Sequence, residues 1–64
     1  MEHAEPVVTL EAIKGLEEGE RLIDEDGVSI ESVPGGYEVR GAIFQAFKAT
    51  PVDALHYYHE ITGK

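Results

Sequence analysis

Arg21-Leu22-Ile23-Asp24-Glu25-Asp26-Gly27-Val28-Ser29-Ile30-Glu31-Ser32-Val33-Pro34-Gly35-Gly36-Tyr37-Glu38-Val39-Arg40 is the stretch on which the fold turns. Within it, Val28-Ser29-Ile30-Glu31 and Tyr37-Glu38-Val39-Arg40 alternate with period two, as strands with one buried face do. Asp24-Glu25-Asp26-Gly27 offers a glycine for the positive φ that closes a short hairpin loop, and Pro34-Gly35-Gly36 cannot extend a strand comfortably. Arg21 to Asp24, Val28 to Val33 and a run beginning at Tyr37 are therefore expected to pair as an antiparallel meander. The third strand is expected to pass a bulge at Gly41 and continue through Ala42-Ile43-Phe44-Gln45-Ala46-Phe47. That run is apolar on both faces, as in a strand that is sandwiched or changes faces.

Helical signals flank the meander on both sides. Thr9 is a suitable N-cap, Glu11 lies near the positive end of the dipole, and Leu10, Ala12, Ile13 and Leu16 recur at helical spacing. Leu22 would fall on the polar face of that wheel, so the helix is expected to end near Glu18 with Gly19 as its cap; the competing reading runs it on to Ile23. At the other end, Thr50-Pro51-Val52-Asp53 combines an N-cap, a proline at the first helical position and an acid three residues after the cap. Ala54, Leu55, Tyr58 and Ile61 share one side of this second helix, and Gly63 ends it. The expected fold is α+β: a small single domain over residues 9–64, with a helix, a three-stranded antiparallel meander and a C-terminal helix, one or both helices packing on a single face of the sheet. Residues 1–8 carry Pro6 without periodicity and are expected to form an N-terminal arm, mobile or adding a short strand at Val7-Val8.

The 64 residues leave room for one domain, and Leu, Ile, Val and Phe together supply seventeen of them, enough for a packed core. With no cysteine, disulfides, thiol nucleophiles and zinc-finger spacings are excluded. The formal charge is -8, which makes nucleic acid or an anionic membrane an unfavourable direct partner. No run approaches the ~20 apolar residues of a transmembrane helix, and Met1-Glu2-His3-Ala4-Glu5 lacks both parts of a secretory signal, so cytoplasmic residence is expected.

Charge is unevenly spread. Residues 1–34 hold ten acids and two bases, whereas residues 35–64 hold three of each. Glu17, Glu18, Glu20, Asp24, Glu25 and Asp26 are close in sequence and are expected to form one acidic edge, suited to solubility or to docking a basic partner. Binding through such an edge weakens with salt, because exposed charges are screened over ~8 Å at physiological ionic strength.

Candidate chemistry is sparse. His56 and His59, with Asp53 and Glu60, share a helix face, but one opposite the apolar stripe, where no second shell orients the rings. No nucleophile elbow or phosphate-binding glycine loop occurs, and a domain this small has little volume for a desolvated pocket. The chain is therefore expected to be non-enzymatic, without cofactor or metal. Among its rings, most are expected in the core; Tyr57 flanks the apolar stripe, and Phe44 and Phe47 should point to opposite faces, so an exposed member of that pair with Tyr57 is the candidate apolar contact surface.

The run Gly36-Tyr37-Glu38-Val39 leading through a strand into Thr50-Pro51-Val52-Asp53-Ala54-Leu55 resembles the strand-into-helix passage of HicB-type antitoxins and of small phage-encoded proteins. It covers residues 36–55 and consists of general strand and capping chemistry. The element order also resembles double-stranded RNA-binding domains, whose basic second-helix start is contradicted by Asp53. The expected function is a small acidic protein-interaction module, in its most concrete form a regulator or inhibitor of a nucleic-acid-handling protein of phage or mobile-element type. The alternative is a homodimeric structural domain meeting through Ile43 to Phe47 and the second helix, and direct nucleic-acid binding is disfavoured by charge.

Overall fold

The structure, a computed structural model, describes residues 8–64. Its elements are α1 (Leu10–Lys14), β1 (Arg21–Ile23), β2 (Ser29–Val33), β3 (Gly36–Arg40), β4 (Gln45–Lys48) and α2 (Pro51–Thr62). The four strands form one antiparallel sheet in the order β1-β2-β3-β4. The α+β class and the helix-meander-helix order match expectation, but the meander has four strands rather than three.

The difference arises at Gly41. Its N–H donates to the Phe44 carbonyl at 2.8 Å, so the chain reverses through Ala42-Ile43 instead of bulging and running straight on. Neither Ala42 nor Ile43 has a positive φ, so the reversal uses none of the glycine, asparagine or proline chemistry that marks a tight turn in a sequence. The run that looked apolar on both faces is in fact a turn followed by a short edge strand, and Ile43 at its tip is 85% exposed.

The other two reversals follow their sequence signals. Gly27 (φ 84°) closes the β1–β2 loop. Pro34 followed by Gly35 (φ 86°) meets the demands of a type II turn between β2 and β3.

α1 is shorter than its wheel allows. It stops at Lys14 with Gly15 as the cap, whose N–H bonds to the Glu11 carbonyl. Glycine is among the weakest helix formers, and the next residues are taken up by a different turn. Glu20 N–H bonds to the Glu17 carbonyl, and Gly19 (φ 95°) donates to the Ser32 carbonyl, so the chain has joined the sheet before β1 begins. The reading of one helix running to Ile23 is therefore wrong as well. Val8, expected in the arm, is buried with Ile13 in the core; it precedes the Thr9 cap in the position from which a hydrophobic staple packs on the fourth helical residue. Residues 1–7 of the expected arm lie outside the described residues.

α2 forms as its three start signals require. Thr50 Oγ1 accepts from the Asp53 N–H at 3.1 Å, Pro51 opens the helix, and Gly63 closes it in the left-handed conformation (φ 73°).

Register fixes the two sheet faces. Leu22 opposes Ile30, Ile30 opposes Val39, and Val39 opposes Ala46, so these residues line one face. Ile30 and Val39 are fully buried there, in one cluster with Ile13 of α1 and Ala54 and Tyr58 of α2. Both helices thus cover this face, and Arg21, Ile23, Glu31, Glu38, Arg40, Gln45 and Phe47 stand on the other. Among the described residues no helix is long and apolar enough to cross a membrane.

Candidate functional site

Among the described residues β1 and β4 are the outer strands of the sheet, and the residues singled out in the sequence divide between these two edges. Glu17, Glu18 and Glu20 precede β1, while Glu25 and Asp26 follow it at the hairpin tip; all five are exposed. β1 therefore holds the carboxylates apart, one group at each of its ends, with Arg21 between them. The N-terminal group is ordered locally, since Glu20 Oε1 accepts the Glu17 N–H at 2.9 Å.

Asp24 does not belong to that exposed edge. Its side chain is 4% exposed, and both oxygens are occupied. Oδ1 accepts from the Asp26 and Val28 N–H groups at 2.8 and 3.0 Å; Oδ2 accepts from Tyr58 Oη at 2.6 Å and Lys64 Nζ at 3.2 Å. Burial alone would raise its pKa, but the bonds from Tyr58, Val28, Asp26 and Lys64 outweigh burial and hold it at about 2. Lys64 Nζ also approaches Asp26 at 2.8 Å and Glu25 at 3.4 Å. Its pKa is raised, first by the bond to Asp26, against an opposing effect of desolvation. The hairpin tip is thus partly neutralised by a base that looks remote in sequence. Asp24-Glu25-Asp26-Gly27 does carry a signal for this lock: aspartate at the first turn position and glycine at the fourth is the pattern of a side chain bonding to the backbone ahead of it.

The apolar candidates gather along β4. Phe47 is 57% exposed on the open face, directly opposite Glu38. Its ring reaches diagonally across Gly36: a Cβ built on Gly36 would lie 2.7 Å from Phe47 Cζ and 3.0 Å from Ala49 Cα, and would collide with the Lys48 carbonyl. The glycine vacates the space the ring occupies, a known way for an aromatic to cover a strand glycine. Phe44 lies on the other face, with Cδ2 3.6 Å from the corresponding Gly41 position, and stays 40% exposed.

Tyr57 does not join Phe47. It is half-buried on the helix side, where Lys48 Nζ sits 4.7 Å from its ring centroid, a cation–π contact. Lys48 opposes Tyr37 on the covered face, so sheet and helix separate the two aromatics. Ile43 (85% exposed) and Val52 (51% exposed) extend the apolar character to either end of β4; Ile43 opens the run expected at a homodimer interface, whereas no sequence signal marks Val52.

His56 and His59 are exposed on α2, and among the described residues no three His, Asp or Glu side chains gather as a metal site would require. Comparison with protein families, curated proteins and solved structures finds no match.

Proposed function

We propose that this chain is a non-enzymatic protein-interaction module that docks its partner along β4, with Phe47 as the anchor. One observation carries the reading: a large aromatic, 57% exposed, is held in place over Gly36 on the open edge of a sheet. An aromatic already fixed before binding has little rotamer freedom left to lose, which is what favours Phe, Tyr and Trp as contact anchors. An edge strand with exposed side chains is also the element to which partners add an extended segment.

The non-enzymatic part is supported by the saturation of Asp24, the single buried charged residue among those described. With its oxygens engaged by Tyr58, Lys64 and two backbone amides, it has no free lone pair aimed at a substrate. A second reading, docking of a basic partner at Glu17, Glu18 and Glu20, is favoured by their exposure and by the absence of any ion pair to them among the described residues.

Affinity capture from the source cell at low and high salt separates the two. The β4 reading expects capture to be lost in Phe47→Asp, retained when Glu17, Glu18 and Glu20 are changed to Gln, and little affected by salt. Capture that survives Phe47→Asp but disappears in the triple Gln variant would overturn it in favour of the acidic reading.

A further inference from the structure

The two edges of the sheet are built on different principles. β1 is flanked by carboxylates at both ends and carries Arg21, the kind of charge by which natural proteins keep an edge strand from pairing with another. β4 is less protected: its one charged residue, Lys48, turns to the helix side and sits 4.7 Å from the Tyr57 ring centroid instead of lying along the edge. No carboxylate stands anywhere between Glu38 and Asp53 in a chain with thirteen of them, and β4 itself contains no proline.

The backbone of β4 is also ready to pair. Because Gly41 N–H donates to the Phe44 carbonyl, Gly41 and Phe44 form a hydrogen-bonded pair. Alternation along the ladder then makes Val39 with Ala46, and Tyr37 with Lys48, the next bonded pairs. The N–H and C=O groups of Gln45 and Phe47 therefore point away from β3. Among the described residues no strand lies beyond β4, and neither Gln45 nor Phe47 makes a backbone bond elsewhere.

Resting on the β4 docking reading, we infer that the occupant of this edge is β4 of a second copy of this chain, antiparallel, with the two-fold axis at Ala46. In that register Gln45 of each copy meets Phe47 of the other. These are the two residues whose backbone groups point outward, so each meeting closes a reciprocal pair of N–H···O bonds. Ala46 then faces its own counterpart in a non-hydrogen-bonded pair, where Cα atoms approach to ~4.5 Å and the two small side chains meet without crowding. Lys48 comes opposite the other copy's Phe44, and no carboxylate of β4 meets another, because β4 has none.

Charge placement favours this partner over the opposite edge. A chain of formal charge -8 repels its own copies, and pairing through β4 puts the two β1 edges at the far ends of one continuous sheet. Three strand spacings of ~4.8 Å separate each β1 from the new junction, well beyond the ~8 Å screening length. Pairing through β1 would instead bring the Glu17 to Glu20 and Glu25 to Asp26 groups of two copies together.

The chain has no cysteine, so single-cysteine variants report the register directly. Sedimentation equilibrium of the full chain from micromolar to millimolar concentration is expected to show a shift to twice the chain mass, lost in Phe47→Asp that circular dichroism verifies as folded. Ala46→Cys should cross-link to a covalent dimer on mild oxidation, since its Cα separation falls within disulfide range, while Ile23→Cys on the β1 edge should remain a monomeric thiol. A single monomer mass up to millimolar concentration, or Ala46→Cys cross-linking no faster than Ile23→Cys, overturns the inference. A monomer that still captures a different protein through Phe47 removes the second copy and leaves the docking reading standing.

Discussion

Tyr58 Oη donates to Asp24 Oδ2 at 2.6 Å, joining the middle of α2 to the turn between β1 and β2. The same carboxylate organises that turn through two backbone amides, so one buried side chain fixes the loop and its position against the helix. Hydrogen bonds to a buried charge contribute more than neutral ones, and removing one partner leaves the other incompletely satisfied. Tyr58→Phe is therefore expected to destabilise the chain by about 1.5–3 kcal/mol, read as a lowered urea midpoint with an unchanged m-value. A variant as stable as wild type would mean that the bond adds nothing over solvation.

The same lock sets a pH dependence with a definite sign. Asp24 is held at about 2 in the folded chain, below the 3.8 of an ordinary aspartate, so its contribution is fully present above pH ~4 and disappears as pH falls through 2. The shift corresponds to about 2 kcal/mol. Asp24→Asn should lose at least that much stability at neutral pH, and the gap to wild type should narrow between pH 4 and 2. A gap that stays constant over this range, measured by denaturant titration, would assign the loss to packing instead of to the charge.

Gly36 lies where no side chain fits, although its φ is not positive. The obstacles to a Cβ are the Lys48 carbonyl and Ala49 Cα, both backbone, together with the Phe47 ring. Backbone cannot swing aside as a flexible side chain can, so Gly36→Ala must separate β3 from β4 or expel the ring. Overpacking of this kind costs about 1–3 kcal/mol. The double variant Gly36→Ala with Phe47→Ala should recover only the part due to the ring, a partition that thermal melts of the two single variants and the double variant resolve.

Thr50 and Thr9 cap their helices with the same geometry, each Oγ1 accepting from the third amide ahead at 3.1 Å. Loss of such a cap costs about 1 kcal/mol, worth roughly 4–8 °C in a domain this small. Thr50→Ala is expected to show that full shift, because α2 supplies Ala54 and Tyr58 to the core. Thr50→Ser should stay near wild type, since serine caps at least as well; a shift as large as that of alanine would rule out the hydroxyl as the cause.

What could be read from the sequence divides along physical lines. α2 and the turns at Gly27 and Gly35 were legible because each depends on local chemistry: a cap, a ring-locked φ, a positive φ. The Gly41 to Phe44 reversal was not, because Ala42 and Ile43 turn with ordinary negative φ values and sheet pairing alone holds them there. The early end of α1 turned on Gly15 outweighing an amphipathic pattern that continued beyond it. At the candidate site, the placement of Phe44 and Phe47 on opposite faces followed from alternation, but the exposure of both did not, since only one member of the pair was expected to be exposed; the burial of Asp24 depended on Tyr58, thirty-four residues away. The pairing of Lys48 with Tyr57, which separates Tyr57 from Phe47, likewise depended on tertiary packing.

Ile43 tests whether the apolar surface around β4 serves the fold or something outside it. At 85% exposure it transfers almost no area out of water on folding, so Ile43→Ser should leave the unfolding free energy within about 0.5 kcal/mol of wild type. A side chain kept for folding alone would behave otherwise. If the β4 edge is a contact surface, the same substitution should weaken association measurably while stability holds, because Ile43 stands in the turn that leads directly into the paired strand. Parallel sedimentation and denaturation of Ile43→Ser decide the matter: loss of association at constant stability assigns Ile43 to the interface, and loss of stability at constant association assigns it to the turn.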